Sequence, residues 1–183
     1  MSALIEAAGK PEFAAEIILV LSDKPDAAGL VAARAAGVTA KAIDYRCFSG
    51  REAFETELHA HLAAAGIELV CLAGFMRILS PKLVERWGGR ILNIHPSLLP
   101  ELRGLRTHER TLAEGHLEHG CTVHFVSAEL DAGPIVAQAR VPVLPGDDVD
   151  TLAARVLLEE HRIYPPALEA VARRLIAAEP RAI

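Results

Sequence analysis

Aromatic residues are scarce: Phe, Tyr and Trp make up only 4% of the 183-residue chain. Its core must be built from Ala, Leu and Val, which supply most of the 51% of residues that are hydrophobic. Cations are outnumbered, with 19 Lys and Arg against 24 Asp and Glu, and no basic tail or stripe occurs. A nucleic-acid partner is therefore not expected, because neutralising phosphates takes clustered Lys and Arg. A small phosphorylated metabolite stays compatible with this charge, since backbone amides can hold it without a basic surface. There are only three cysteines (Cys47, Cys71, Cys121), with no Cys-x-x-Cys spacing, which suits a reduced cytoplasm better than a disulfide framework. The longest apolar run, residues 69–76, is far too short to span a bilayer, and Glu6 interrupts the N-terminal one. No membrane partner and no signal peptide are expected. Gly-x-Ser-x-Gly, Walker and Gly-x-Gly-x-x-Gly patterns are all missing, which leaves serine-nucleophile, NTPase and dinucleotide readings without support.

The length suits one domain, residues 1–183, able to bury a sizeable core. Residues 17–21 form a β-branched-rich run that reads as a buried parallel strand, followed by helical spacing over 26–36 and a Gly37 stop. Residues 39–45 give a weaker strand, 51–65 an amphipathic helix closed by Gly66, and 68–73 a second buried strand. A short helix at 81–87 and a strand at 90–95 complete a β-α-β-α-β-α-β order, which implies parallel pairing with right-handed crossovers. Residues 121–127 alternate and 134–143 are β-rich, predicting an antiparallel extension, and 148–178 read as helix, bent or broken near Tyr164-Pro165-Pro166. The expected fold is α/β: a doubly wound, mostly parallel sheet with an antiparallel edge. In such sheets ligands sit beyond the carboxyl ends of the strands, which singles out residues 22–26, 74–80 and 93–100.

Asn93 and His95 are two apart on a strand and leave it on the same face, just before Pro96. An amide beside an imidazole can polarise a carbonyl while the imidazole moves a proton. The plain alternative is a buried polar pair satisfied by backbone. Asp131 lies in a turn before Gly133-Pro134, where a carboxylate can approach a strand-end histidine or simply face solvent. His59 and His61 point to nearly opposite sides of a helix, and Cys121 and His124 to opposite sides of a strand, so no metal site is expected. His108 is read as a helix-start or surface residue.

Together these segments resemble the folate-dependent formyltransferases, most closely the branch serving purine synthesis. The resemblance rests on Ser22-Asp-Lys-Pro25, Ser49-Gly-Arg-Glu52, Leu72-Ala-Gly-Phe-Met-Arg-Ile-Leu-Ser80 and Leu92-Asn-Ile-His-Pro-Ser-Leu-Leu-Pro100. It continues through His119-Gly-Cys-Thr-Val-His-Phe-Val126, Leu130-Asp-Ala-Gly-Pro134 and Glu160-His-Arg-Ile-Tyr-Pro165, nearly the whole chain in order. It implies formyl transfer from 10-formyltetrahydrofolate, the co-substrate, to the amine of glycinamide ribonucleotide, without a metal. Asn93 would hold the developing oxyanion, His95 would act as general acid, and Asp131 would keep His95 protonated. The folate would lie against Met76, Arg77, Ile78 and Leu79, with Asn93, Arg51 and the loop Ser127, Ala128, Glu129 and Leu130. The ribonucleotide would lie near Met1, Ser2, Gly74, Pro96 and Glu160. The resemblance admits a homodimer.

Two departures stand against it. The family opens with a strand and a Gly-x-Gly-Ser-Asn phosphate loop, whereas residues 1–7 match only the helix that follows. The segment from Glu101 to Arg106 also differs from the family's usual Lys, aromatic and His. These departures leave open a weakly active or silent folate-binding chain. Another enzyme using formyl-folate is a further alternative.

Overall fold

The computed structural model describes residues 1–178. Its elements are helix α1 (Ser2–Ala8), strand β1 (Leu19–Ser22), α2 (Ala28–Ala35), β2 (Thr39–Ala42), α3 (Arg51–Ala64), β3 (Val70–Leu72), α4 (Pro81–Trp87), β4 (Ile91–His95), α5 (Thr107–Ala113), β5 (Glu118–Phe125), β6 (Ile135–Pro142) and α6 (Val149–Ala178). The local signals explain most boundaries. α4 starts where the Ser80 side chain accepts from the Leu83 N–H at 3.2 Å and Pro81 fills the first turn; it stops at left-handed Gly88. Residues 43–45 leave β2 for a 3-10 turn at Tyr45–Cys47, fixed by Asp44 accepting from the Arg46 N–H at 3.0 Å.

β1 and β2 form a parallel pair, and β3-β4-β5-β6 form a second sheet. β3–β4 is parallel, while β4–β5 and β5–β6 are antiparallel, so the expected antiparallel extension consists of two full pairings. The parallel strands thus fall into two groups rather than one continuous sheet. Between β1 and β3 lies an apolar cavity of about 780 Å³, lined by Leu19, Leu21, Val70, Leu72, Phe54 and Leu168 among others.

α6 runs unbroken through Pro165 and Pro166 where a bend or break was expected. The missing N–H groups free the carbonyls of His161 and Arg162, and both residues are exposed, so water can satisfy them. On the opposite face Ile163, Tyr164, Ala167, Leu168 and Val171 are buried against the sheet and hold the helix in place. The Tyr164 hydroxyl reaches the carbonyls of Leu72 (2.9 Å) and Leu92 (3.2 Å), tying α6 to β3 and β4.

Candidate active site

β4 ends with Asn93 and His95, whose cross-strand partners on β5 are His124 and Thr122. Side chains directly opposite one another share a sheet face, so the antiparallel register brings His124 beside Asn93. The His124 Nδ1 lies 2.9 Å from the Phe125 carbonyl, which can only accept, so this nitrogen carries the proton. Burial pushes the His124 pKa down, opposed by its carbonyl bond and by Asp131, which favours the neutral ring. Its Nε2 is then free to accept from the Asn93 amide at 3.2 Å. The amide nitrogen of Asn93 is thereby fixed, with a second N–H left to donate.

Asp131 arrives from the β5–β6 connection. Its backbone is left-handed (φ 49°), a conformation Asp tolerates. Gly133 packs so closely on the Phe125 carbonyl that no side chain fits. This seats the Asp131 carboxylate, 9% exposed, with Oδ2 3.4 Å from His95 Nδ1 and 2.9 Å from the Gly104 N–H, which donates to it. Its Oδ1 lies 3.7 Å from His124 Nε2. The other His95 nitrogen, Nε2, is 3.0 Å from the Leu102 carbonyl. Both groups facing the His95 ring nitrogens are oxygen acceptors.

The loop after β4 is held by its own polar groups. Thr107 Oγ1 donates to the Pro96 carbonyl (2.6 Å), and Thr122 Oγ1 donates to the Ser97 carbonyl (2.7 Å) and accepts from the Leu99 N–H (3.1 Å). His108, expected at a helix start or on the surface, is the second residue of α5, and its ring turns inward to bond His119 at 3.0 Å. His119 is 1% exposed, meets Thr111 at 2.9 Å, and has its pKa pushed down to about 4, chiefly by burial.

Asn93 and His95 are joined by Asp131, far away in sequence, in one cluster through His124, which the motif reading gave no role. The cross-strand register could not be read without knowing where β4 and β5 pair. The remaining expected residues are more dispersed. Met76 (68% exposed) and Ile78 (60%) face solvent, whereas Leu79 is buried beside Leu83 and Trp87. Arg77 donates to Asp23 at 2.7 Å and lies over the Tyr45 ring at 3.5 Å. Arg51 opens α3 in an exposed position, and Gly74 has φ 71°. The Ser127 hydroxyl donates to the Glu129 carbonyl (2.8 Å), Glu129 pairs with Arg103 (2.5 Å), Ala128 is exposed and Leu130 is 46% exposed. Ser2 is exposed at the start of α1. Burial raises the Glu160 pKa against the pull of the Met1 ammonium, whose own pKa burial lowers against the pull of Glu160, so these two groups sense one another. Among the described residues no group of three or more His, Cys, Asp or Glu could hold a metal ion.

The family model described as "Formyl transferase" matches residues 1–168. The chain belongs to the formyl transferase family. This formyltransferase is 47% identical to phosphoribosylglycinamide formyltransferase of Escherichia coli over 165 residues, 90% of this chain and 78% of that one. It is 46% identical to the trifunctional purine biosynthetic protein adenosine-3 of Bos taurus over 172 residues, which are 94% of this chain and only 17% of the relative. Its fold matches the crystal structure of phosphoribosylglycinamide formyltransferase from Brucella melitensis with a TM-score of 0.89 at 52% identity, covering 94% of this chain and 88% of that one. Glycinamide ribonucleotide transformylase 1 from Symbiobacterium toebii gives a TM-score of 0.92 at 45% identity, covering 94% and 82%. The reading of an α/β formyltransferase fold agrees with these neighbours. No helix among the described residues is long and apolar enough to cross a membrane.

Proposed function

We propose that this formyltransferase moves a formyl group from 10-formyltetrahydrofolate to the amine of glycinamide ribonucleotide. The observation that carries the reading is the buried cluster at the end of β4, in which Asn93, His95 and Asp131 converge with His124. The amine attacks the formyl carbon and its oxygen becomes an oxyanion. The Asn93 amide, held by His124, donates to that oxygen. A protonated His95 beside the Asp131 carboxylate then supplies the proton that the folate nitrogen needs in order to leave, and the proton shed by the attacking amine returns His95 to its starting form. Nε2 of His95 must first exchange the Leu102 carbonyl for the reacting atoms. The exposed strip around Met76 and Ile78, with Arg51 and the loop 127–130, is the proposed folate side. Gly74, Pro96, Glu160 and the Met1–Ser2 end form the ribonucleotide side.

A phosphate cradle would complete the site. The facing edges of β1 and β3, unpaired with each other across the apolar cavity, support a place for one further strand whose glycine loop would hold the phosphate. A version extended by such a strand should bind glycinamide ribonucleotide more tightly than the 183-residue chain, with folate binding little changed. Equal ribonucleotide affinity by calorimetry removes this part of the proposal.

The chemistry is tested by Asn93→Ala and His95→Ala. Each should lower kcat by about 10²-fold or more while formyl-folate still binds. Near-normal turnover in both variants rejects the assignment, and transfer to water but not to the ribonucleotide amine points to a different formyl-folate enzyme.

A further inference from the structure

Glu55 is a buried carboxylate, 6% exposed, in the second turn of α3. It has no cation partner among the described ion pairs. Both its oxygens serve one residue across the fold: Oε1 accepts from the Ser80 N–H at 2.7 Å and Oε2 accepts from the Ser80 hydroxyl. Burying a carboxylate without a cation is expensive unless hydrogen bonds replace its water. Capping α4 does not require it, since Ser80 Oγ already accepts from the Leu83 N–H. What the carboxylate adds is a hold on Ser80 itself, the residue where the irregular segment 73–79 enters the helix.

That segment has other fixed points: β3 ends at Leu72 before it, Arg77 is tied to Asp23 in its middle, and Leu79 is buried beside Leu83 and Trp87. Met76 and Ile78 stand out to solvent between these ties. Glu55 also lies one helical turn from Arg51, on the same helix. The two bonds to Ser80 therefore help set the distance between Arg51 and the Met76–Leu79 strip, both placed above on the proposed folate side.

We infer that Glu55 is a positioning residue for formyl-folate, holding the strip at a fixed spacing from Arg51 through its paired bonds to Ser80. The inference rests on the proposed folate side. Gln keeps one acceptor but loses the charge-assisted bond, so its effect should be intermediate.

The test is steady-state kinetics of the whole chain with both substrates varied, alongside thermal melts. Glu55→Ala should raise the KM for formyl-folate about tenfold or more, the scale of charge-assisted hydrogen bonds. Glu55→Gln should raise it less, and both should leave kcat and the ribonucleotide KM within about twofold. If Glu55→Ala does not fold, Glu55→Gln carries the test. A folded Glu55→Gln with an unchanged folate KM, or with both KM values raised alike, overturns the inference and leaves Glu55 a stability residue. A third variant, Ile78→Asp, examines the strip directly. If it too leaves the folate KM unchanged, the strip reading fails and the inference falls with it. If it raises that KM while the Glu55 variants do not, only the inference falls.

Discussion

Replacing Gly133 by alanine should disable the site without removing any of its polar atoms. An alanine Cβ would overlap the Phe125 carbonyl oxygen outright and stand 2.8 Å from its carbon, both backbone atoms that cannot swing aside. Carbon contacts relax only at about 3.5–4.0 Å, so the turn must retreat by on the order of 1 Å. Asp131 is two residues upstream on the same turn. Such a shift would stretch its 3.4 Å approach to His95 Nδ1 and its 2.9 Å bond from the Gly104 N–H beyond useful range. Misplacement of a reacting constellation by about 1 Å reduces rate by about 10²-fold, equivalent to about 2.7 kcal/mol in the barrier. Overpacking should also destabilise the fold by about 1–3 kcal/mol. The assay is formyl transfer under saturating substrates, with a thermal melt to show that the variant is folded. Gly9→Ala is the control, since its added Cβ would meet nothing closer than 3.5 Å. Gly133→Ala with turnover within threefold of the parent and an unchanged melt would refute the argument that this contact seats Asp131.

Tyr164→Phe should lower stability by about 1 kcal/mol, seen as a Tm drop of about 2–4 °C, because the Leu72 and Leu92 carbonyls lose the hydroxyl they share. An unchanged Tm would mean those carbonyls are satisfied without it. His119 gives a pH signature: its folded pKa is about 4, against 6.5 for an ordinary histidine. The unfolded chain binds the extra proton, so the stability held above about pH 6.5 is lost as pH falls toward 4. His119→Asn should flatten that decline in urea melts at successive pH values, and identical slopes in both chains would contradict the assignment. His124→Phe should release the Asn93 amide and lower kcat by about tenfold or more, with less effect on either KM. A variant with normal kcat would show that Asn93 holds its orientation unaided.

From β1 to β4 the order of strands and helices was legible in the sequence because each element carries its own local physics, whereas α1 entered only through the resemblance and α5 was not delimited as an element. Pro81 after Ser80 starts α4, Gly37 and Gly66 follow the ends of α2 and α3, and apolar residues fill most of β1 and β4. Asn93 and His95 could be paired on one face from strand periodicity alone, whereas Asp131 stood out only as a turn carboxylate and joined them only through the family resemblance. His124 could not be found that way. Its role depends on β4 and β5 pairing with Asn93 opposite His124, a register set by packing across some thirty residues of intervening chain. The inward turn of His108 and the hold of Glu55 on Ser80 depend likewise on elements meeting in space. Continuity of α6 was misjudged for the same reason. Proline chemistry is local and argues for a bend or break, while the buried face that keeps the helix continuous exists only once the sheet is present. Sequence fixes what each segment prefers; the long-range contacts determine which of those preferences the folded site retains.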